Sequence, residues 1–181
     1  MNALDLTRRM DQHRTWVNRQ LLAAAAALSA EQLHQTFPIG QGSIWKSLVH
    51  MWAAEHVWLE ALHGHEQALA PGDVAGKLPG NQEGPGGVHS IAELERAWTA
   101  LAVRWQEYLQ SLSNEQLDDL VYKVRSLGGR FAFRRSDVLL HVHMHAHYTA
   151  AQVMNMLRHA GATSLPDPMV ISLVRSEPPL G

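Results

Sequence analysis

Histidines are the residues whose type and spacing point most directly to chemistry in this chain of 181 residues, which contains twelve of them. Four alternate within one short segment, at His141, His143, His145 and His147. In a helix, residues four apart are neighbours and residues two apart are not, so the segment offers two separate pairs. Two imidazoles at this spacing can bind one metal ion, but the spacing alone is a weak signal.

His141 and His145 belong to a polar stripe of the predicted helix, which Tyr148 and Gln152 continue. His143 and His147 point away from this stripe, and the pattern predicts that they are exposed to solvent. The residues on both sides of the stripe are apolar, which predicts buried flanks: Val138, Leu140, Val142, Met144, Ala151 and Met156.

An earlier helix places two polar residues on or beside its apolar face. At about 100° per residue, Glu55 falls near the middle of that face and His50 lies at its edge among small residues. A buried carboxylate is costly unless it is paired, so Glu55 needs a partner, for which an arginine is the simplest candidate. Bundles build metal sites from facing helices, so a third histidine at His50 strengthens the prediction of a metal site with an open position.

Four helical segments must position these residues. Ser43 and Ser90 are good N-caps, and Gly64 and Gly161 are typical C-terminal stops. The predicted helices span residues 4–28, 44–62, 91–112 and 137–159. Residues 64–89 are rich in glycine and proline and predict a long surface loop.

Two short apolar runs on either side of Leu127, Gly128 and Gly129 precede the last helix, and they predict a small hairpin or an extended excursion. The expected fold is therefore an all-α, up-down four-helix bundle, forming a single domain over residues 1–181.

Composition limits the classes of function. The net charge of −2 gives no global basic field for nucleic acid or an anionic membrane. The local basic cluster is interpreted as a solvated rim: Arg125, Arg130, Arg134 and Arg135. The chain has no cysteine, which excludes thiolate ligands and a cysteine nucleophile. No signal peptide or membrane-spanning run is visible, so a cytoplasmic protein is expected. Wide apolar arcs on the first and second helices predict a homodimer.

The sequence resembles the DinB/YfiT-like family of bacterial four-helix proteins over nearly its whole length. Residues 42–50, which read Gly-Ser-Ile-Trp-Lys-Ser-Leu-Val-His, are similar to the family pattern around its first metal-binding histidine. The match to the rest of the family pattern includes these residues: Glu55, Gly128, Gly129, Arg130, His141, His145, Tyr148, Gln152 and Gly161.

The resemblance implies a divalent metal, with zinc or nickel expected, held by three histidines. His50 matches the first ligand position and His145 the second. Thr149 occupies the third position, and a threonine hydroxyl is a poor ligand beside imidazole. Either His141 completes the site one turn earlier, or the metal is weakly held, or the site is vestigial.

The resemblance also implies a metal-dependent hydrolase or an S-transferase that uses a low-molecular-weight thiol, so the expected partner is a small-molecule substrate or thiol. Glu55 and Tyr148 are the candidate catalytic residues, as groups that orient ligands or transfer protons. The alternative is a non-catalytic bundle with a degenerate metal site, whose polar stripe is a satisfied network serving small-ligand binding or dimerisation.

Overall fold

Four long helices form the body of the structure, a computed structural model that describes residues 2–124 and 128–178. Two short helices and a hairpin complete it. In chain order the elements are α1 (Ala3–Ala26), α2 (Ala30–His34), α3 (Ile44–Leu62), α4 (Ile91–Ser111), a 3-10 turn (Glu115–Asp118), β1 (Leu120–Val124), β2 (Arg130–Arg134), α5 (Arg135–His159) and α6 (Val170–Arg175).

The four long helices pack in a ring, with α1 against α5, α5 against α3, α3 against α4 and α4 against α1. This arrangement confirms the predicted four-helix bundle. The predicted caps are also present, because Ser43 Oγ accepts from the backbone of Lys46 and Ser90 Oγ accepts from that of Glu93. None of the described helices is both long and apolar enough to cross a membrane.

The hairpin predicted before the last helix is formed by β1 and β2. They pair antiparallel in a register that runs from Leu120 opposite Arg134 to Val124 opposite Arg130. Arg130 forms a bidentate ion pair with Glu66. The predicted residues Arg125 and Leu127 lie outside the described residues.

The long connection between α3 and α4, residues 63–90, has no regular secondary structure, as predicted. It nevertheless packs closely on the bundle, because Ala70 and Val88 are buried in the core. In the middle of the connection, the carboxylate of Asp73 accepts hydrogen bonds from the backbone nitrogens of Gly80 at 2.7 Å and Gln82 at 3.0 Å. The loop therefore presents a fixed surface to α3.

The side chains of α5 are distributed differently from the prediction. This helix packs against both α1 and α3, so its buried face is wide and includes His143, which is only 6% exposed. The prediction that His143 is exposed was wrong. Leu140 and Met144 were predicted as buried flanks, but they are 50% and 61% exposed. Ala151, predicted in the same way, is also exposed.

Candidate functional site

His50 of α3 and His145 of α5 meet across the contact between their helices, with their Nε2 atoms 3.2 Å apart. Two imidazoles that share one tetrahedral zinc at about 2.0–2.1 Å hold their nitrogens about 3.3 Å apart. The separation of the two nitrogens is therefore the one that a shared ion requires. The structure brings together two of the three histidines that were predicted as ligands.

A backbone carbonyl fixes the tautomer of His50. The Nδ1 atom of His50 lies 2.8 Å from the carbonyl oxygen of Pro79. A carbonyl can only accept, so Nδ1 carries the proton and Nε2 keeps its lone pair. Metal-binding histidines are commonly oriented through their second nitrogen in this way. His50 therefore directs an unprotonated Nε2 towards His145.

The carbonyl of Pro79 reaches His50 because the next residue is a glycine. Gly80 has φ +87°, and a Cβ placed on it would lie 2.7 Å from the Cα atom of His50. Only glycine allows this conformation together with so close an approach. Asp73 holds the backbone nitrogen of Gly80 from the other side. The loop was predicted from its composition, but its role in orienting His50 was not.

His145 is held in its neutral form. Burial, together with the charges of His50 and His141, lowers the pKa of His145 to about 4. In the protein alone, its Nε2–H donates to the free lone pair of His50, since the proton of His50 is on Nδ1. Near neutral pH His145 therefore carries no positive charge that would repel a cation.

His141 lies beside this pair without joining it. Its ring centroid is 5.9 Å from that of His145, and its ring packs edge-to-face against Trp58 at 5.1 Å. Burial lowers the pKa of His141. Within residues 2–124 and 128–178, no three histidine or acidic side chains are close enough together to hold an ion. Thr149 is buried one turn after His145. The identity of the third ligand stays a prediction.

Glu55 is buried and faces α1 and α4 rather than the histidine pair. Asn18 Nδ2 donates to Oε1 at 2.9 Å, and Trp98 Nε1 donates to Oε2 at 3.0 Å. Arg14 Nη1 lies 3.2 Å from Oε2, so the expected arginine partner is present. Burial raises the pKa of Glu55, while these three partners oppose that rise. Its catalytic role stays a prediction.

The α1 residues that surround Glu55 were missed in the sequence. Arg14 also pairs with Asp11, and both side chains are largely buried. Asp11, Arg14 and Asn18 recur at spacings of three and four, on the same face as the buried Leu21 and Leu4. The available signal was the helical spacing that places these polar residues on the same face as buried leucines, which predicts that they are buried too.

A cavity lies between α1 and α5, on the other side of α5 from the histidine pair. This α1–α5 groove has a volume of about 490 Å³. Tyr148, the second predicted catalytic residue, lines this groove and is 66% exposed. The rest of its wall is mainly apolar and includes Met10, Val17, Met144, Ala146 and Ala151.

His143 also lines the α1–α5 groove. Its Nδ1–H donates to the carbonyl oxygen of Leu139 at 2.9 Å, while its buried Nε2 has no hydrogen-bond partner among the described residues. Burial, with the nearby charges of Arg14 and His13, lowers the pKa of His143 to about 3. The second histidine pair of α5 therefore differs from the first in having a buried acceptor without a partner.

The fold and the histidine pair define a four-helix-bundle protein with a candidate metal centre between two facing helices. The chain belongs to the DinB family, which its residues 2–173 match. It is 27% identical over 164 residues to Protein DinB of Bacillus subtilis (strain 168), covering 90% of each chain. It is also similar to the crystal structure of a DinB-like protein from Bacillus subtilis, with a TM-score of 0.59 over 88% of this chain and 96% of the other. At 14% identity, that likeness shows the fold alone.

Proposed function

We propose that this chain binds a divalent metal ion, zinc or nickel, through His50 and His145. With this ion it acts as a metal-dependent hydrolase or as a thiol-dependent S-transferase. The observation that carries the proposal is the 3.2 Å separation of the two Nε2 atoms, with the tautomer of His50 fixed by Pro79. These two activities are the ones implied by the family resemblance. The substrate would be a small molecule or a low-molecular-weight thiol.

The residues around the pair have separate roles in this proposal. A bound divalent ion would supply Lewis-acid activation of water or of a thiol. His50 and His145 would hold it, each as a neutral imidazole. His141, whose ring lies next to that of His145, would either complete the ligand set or accept a proton from the activated group.

Thr149 gives a direct way to test the ligand set. It lies one turn after His145 on the buried side of α5. Thr149→His would restore the histidine that the family resemblance implies at this position. We expect this variant to bind zinc and nickel more tightly than the natural chain, because imidazole is a better ligand than a neutral hydroxyl.

The proposal is tested by chelator-competition measurements of zinc and nickel affinity on protein purified without a histidine tag. We expect His50→Ala and His145→Ala each to weaken binding at least about tenfold, because losing even a group that orients a metal ligand costs about 10–100-fold. His147→Ala is the matched control, since His147 is an exposed histidine on the same helix. If both alanine variants keep the affinity and Thr149→His gains none, the pair is a structural network and the proposal fails.

A homodimer is part of the proposal, with a different surface from the one expected in the sequence. On α3, Trp52 is buried, whereas α5 exposes Leu140, Met144 and Tyr148 in one stripe. This exposed apolar stripe favours a partner surface on α5. In sedimentation experiments, Leu140→Glu should dissociate the dimer and Leu6→Glu, an equally exposed position on α1, should not. A natural chain that sediments as a monomer at high micromolar concentration would contradict the homodimer.

A further inference from the structure

We propose that the α1–α5 groove is a second binding site, for a small apolar molecule that carries a neutral hydroxyl group, such as a phenol. This site is separate from the proposed metal centre, since its lining includes neither His50 nor His145. It is formed instead by α1 and by the face of α5 that carries His143 and His147.

The dimensions and walls of the groove suit a small organic molecule. Its volume of about 490 Å³ lies within the range of about 300–1,000 Å³ that is usual for ligand pockets. Met10 and Val17 line it from α1, and Met144, Ala146 and Ala151 line it from α5. These side chains would remove the apolar body of a ligand from water, which is the main source of affinity in such pockets.

Two buried acceptors without partners lie among the residues that line the groove. His143 donates from Nδ1 to Leu139, so its Nε2 holds a lone pair. Asn18 donates from Nδ2 to Glu55, which leaves its Oδ1. Neither atom is hydrogen-bonded within the part of the chain that the structure describes. An unpaired buried acceptor destabilises the fold, so these two atoms favour a donor from outside the chain.

Arg14, which also lines the groove, has a buried donor without a partner. The Nε atom of Arg14 makes no hydrogen bond to any described residue, although other atoms of its guanidinium pair with Asp11 and Glu55. A hydroxyl group both donates and accepts, so it can serve His143 or Asn18 and also Arg14. An ammonium group only donates and would lie beside a buried guanidinium. A carboxylate only accepts and would face the two lone pairs.

The test is an NMR titration of the metal-free protein with phenol, toluene and benzylammonium. We expect phenol to shift the amide signals of α1 and α5 along the groove and to move the Nε2 signal of His143. Toluene has the same apolar body without the hydroxyl. One net hydrogen bond is worth about 1 kcal/mol, so toluene should bind about fivefold more weakly than phenol. Benzylammonium should bind more weakly than either.

Two variants locate the site. Ala151 is exposed and lines the groove, so Ala151→Phe should fill it and abolish phenol binding. Ala100→Phe makes the same change at an exposed position on α4 and should have no effect. His143→Phe keeps an aromatic ring without the acceptor and should remove the preference for phenol over toluene. If that variant fails to fold, the comparison of phenol with toluene on the natural chain still decides the role of the hydroxyl.

Any one of the following results would overturn the proposal. Equal affinity for phenol and toluene would show that the unpaired acceptors do not recognise the ligand. Phenol binding that survives Ala151→Phe, or no binding up to the solubility of phenol, would exclude the groove as the site. A dimer that Ala151→Phe dissociates, with no phenol binding to the natural chain, would assign the groove to a second copy. None of these results depends on metal binding, so the two proposals fail separately.

Discussion

Helix α5 presents two histidine pairs of identical spacing to two different helices. His141 and His145 face α3, where His50 supplies another imidazole whose tautomer is already set. His143 and His147 face α1, where the ring of His13 lies 6.4 Å from that of His147 and no described group satisfies Nε2 of His143. The two pairs have the same residue types on the same helix, but their surroundings differ.

The difference shows that the facing helix decides what a histidine pair can do. On the α3 side, a third nitrogen approaches one member of the pair at a distance suited to a shared ion. On the α1 side, the neighbours are the apolar Met10 and Val17 and the buried cation of Arg14. A spacing of four residues provides two imidazoles, and the opposite helix determines whether another nitrogen lies close enough to share an ion with one of them.

The largest effect is expected from Glu55→Ala, which removes the buried carboxylate that contacts Arg14 and Asn18 of α1 and Trp98 of α4. Arg14 would keep Asp11 but lose its second carboxylate, and removing one partner of a buried ion pair costs about 3–5 kcal/mol. Urea unfolding measures this loss. We expect the zinc affinity of the variant that remains folded to be unchanged, because the contacts of Glu55 go to α1 and α4. A loss of zinc affinity with little loss of stability would instead place Glu55 in the metal site, as the sequence predicted.

The second effect concerns the loop that orients His50. Gly80→Ala should cost about 1–3 kcal/mol, because the new Cβ adds a clash with α3 to the strain of a positive φ. It should also weaken zinc binding by about 10–100-fold by displacing the carbonyl of Pro79. Gly76→Ala is the matched control, since Gly76 has φ +80° with open space around it. Equal effects of the two substitutions on zinc affinity would contradict the role of the loop.

The third effect is the pH dependence of stability in metal-free protein. The pKa values of His143 and His145 are lowered to about 3 and about 4, whereas in the unfolded chain both take up protons near the ordinary value of 6.5. Their contribution is therefore complete above pH 6.5 and is lost as the pH falls towards 4. Each residue contributes at most about 1.4 kcal/mol per pH unit in this window.

Unfolding measurements at pH 7 and pH 5 test this dependence. His143→Phe and His145→Phe should each reduce the difference between the two pH values, which separates the contribution of one pair from that of the other. An unfolding free energy that is the same at both pH values would show that the two imidazoles are not held neutral by the fold.

The smallest effect is expected from Tyr148→Ala. Tyr148 is mostly exposed at the edge of the α1–α5 groove, so the free energy of unfolding should change by no more than about 0.5 kcal/mol. Zinc affinity should not change. A fall in zinc affinity comparable to that of His145→Ala would show that Tyr148 acts at the proposed metal site, as its predicted catalytic role requires.

Much of the fold could be predicted from local signals. Ser43 and Ser90 marked two helix starts because their hydroxyls satisfy backbone donors that no helix can satisfy internally. The meeting of His50 and His145 could also be predicted, because His50 lies at the edge of an apolar helix face and the stripe that contains His145 has apolar flanks. A bundle must pack such faces together.

The remaining features depend on contacts that periodicity does not encode. A helical wheel assumes one buried arc, but α5 is covered on two sides, which is why His143 is buried and Met144 is not. The partner of Glu55 comes from a distant helix, so its identity required knowing which face of α1 turns inward. The contact of Pro79 with His50 arises in a loop without any repeat, where no pattern assigns a partner to a carbonyl.

The connection between α3 and α4 has a practical consequence for engineering. Shortening an irregular loop is a common route to a more thermostable variant, and a segment rich in glycine and proline would be an obvious target. Here, a deletion across residues 73–80 would remove both the carbonyl beside His50 and the aspartate that holds it in place. Under the proposed function, a truncated chain would lose zinc affinity even where it melts at a higher temperature, so thermal screening alone would select the wrong variants.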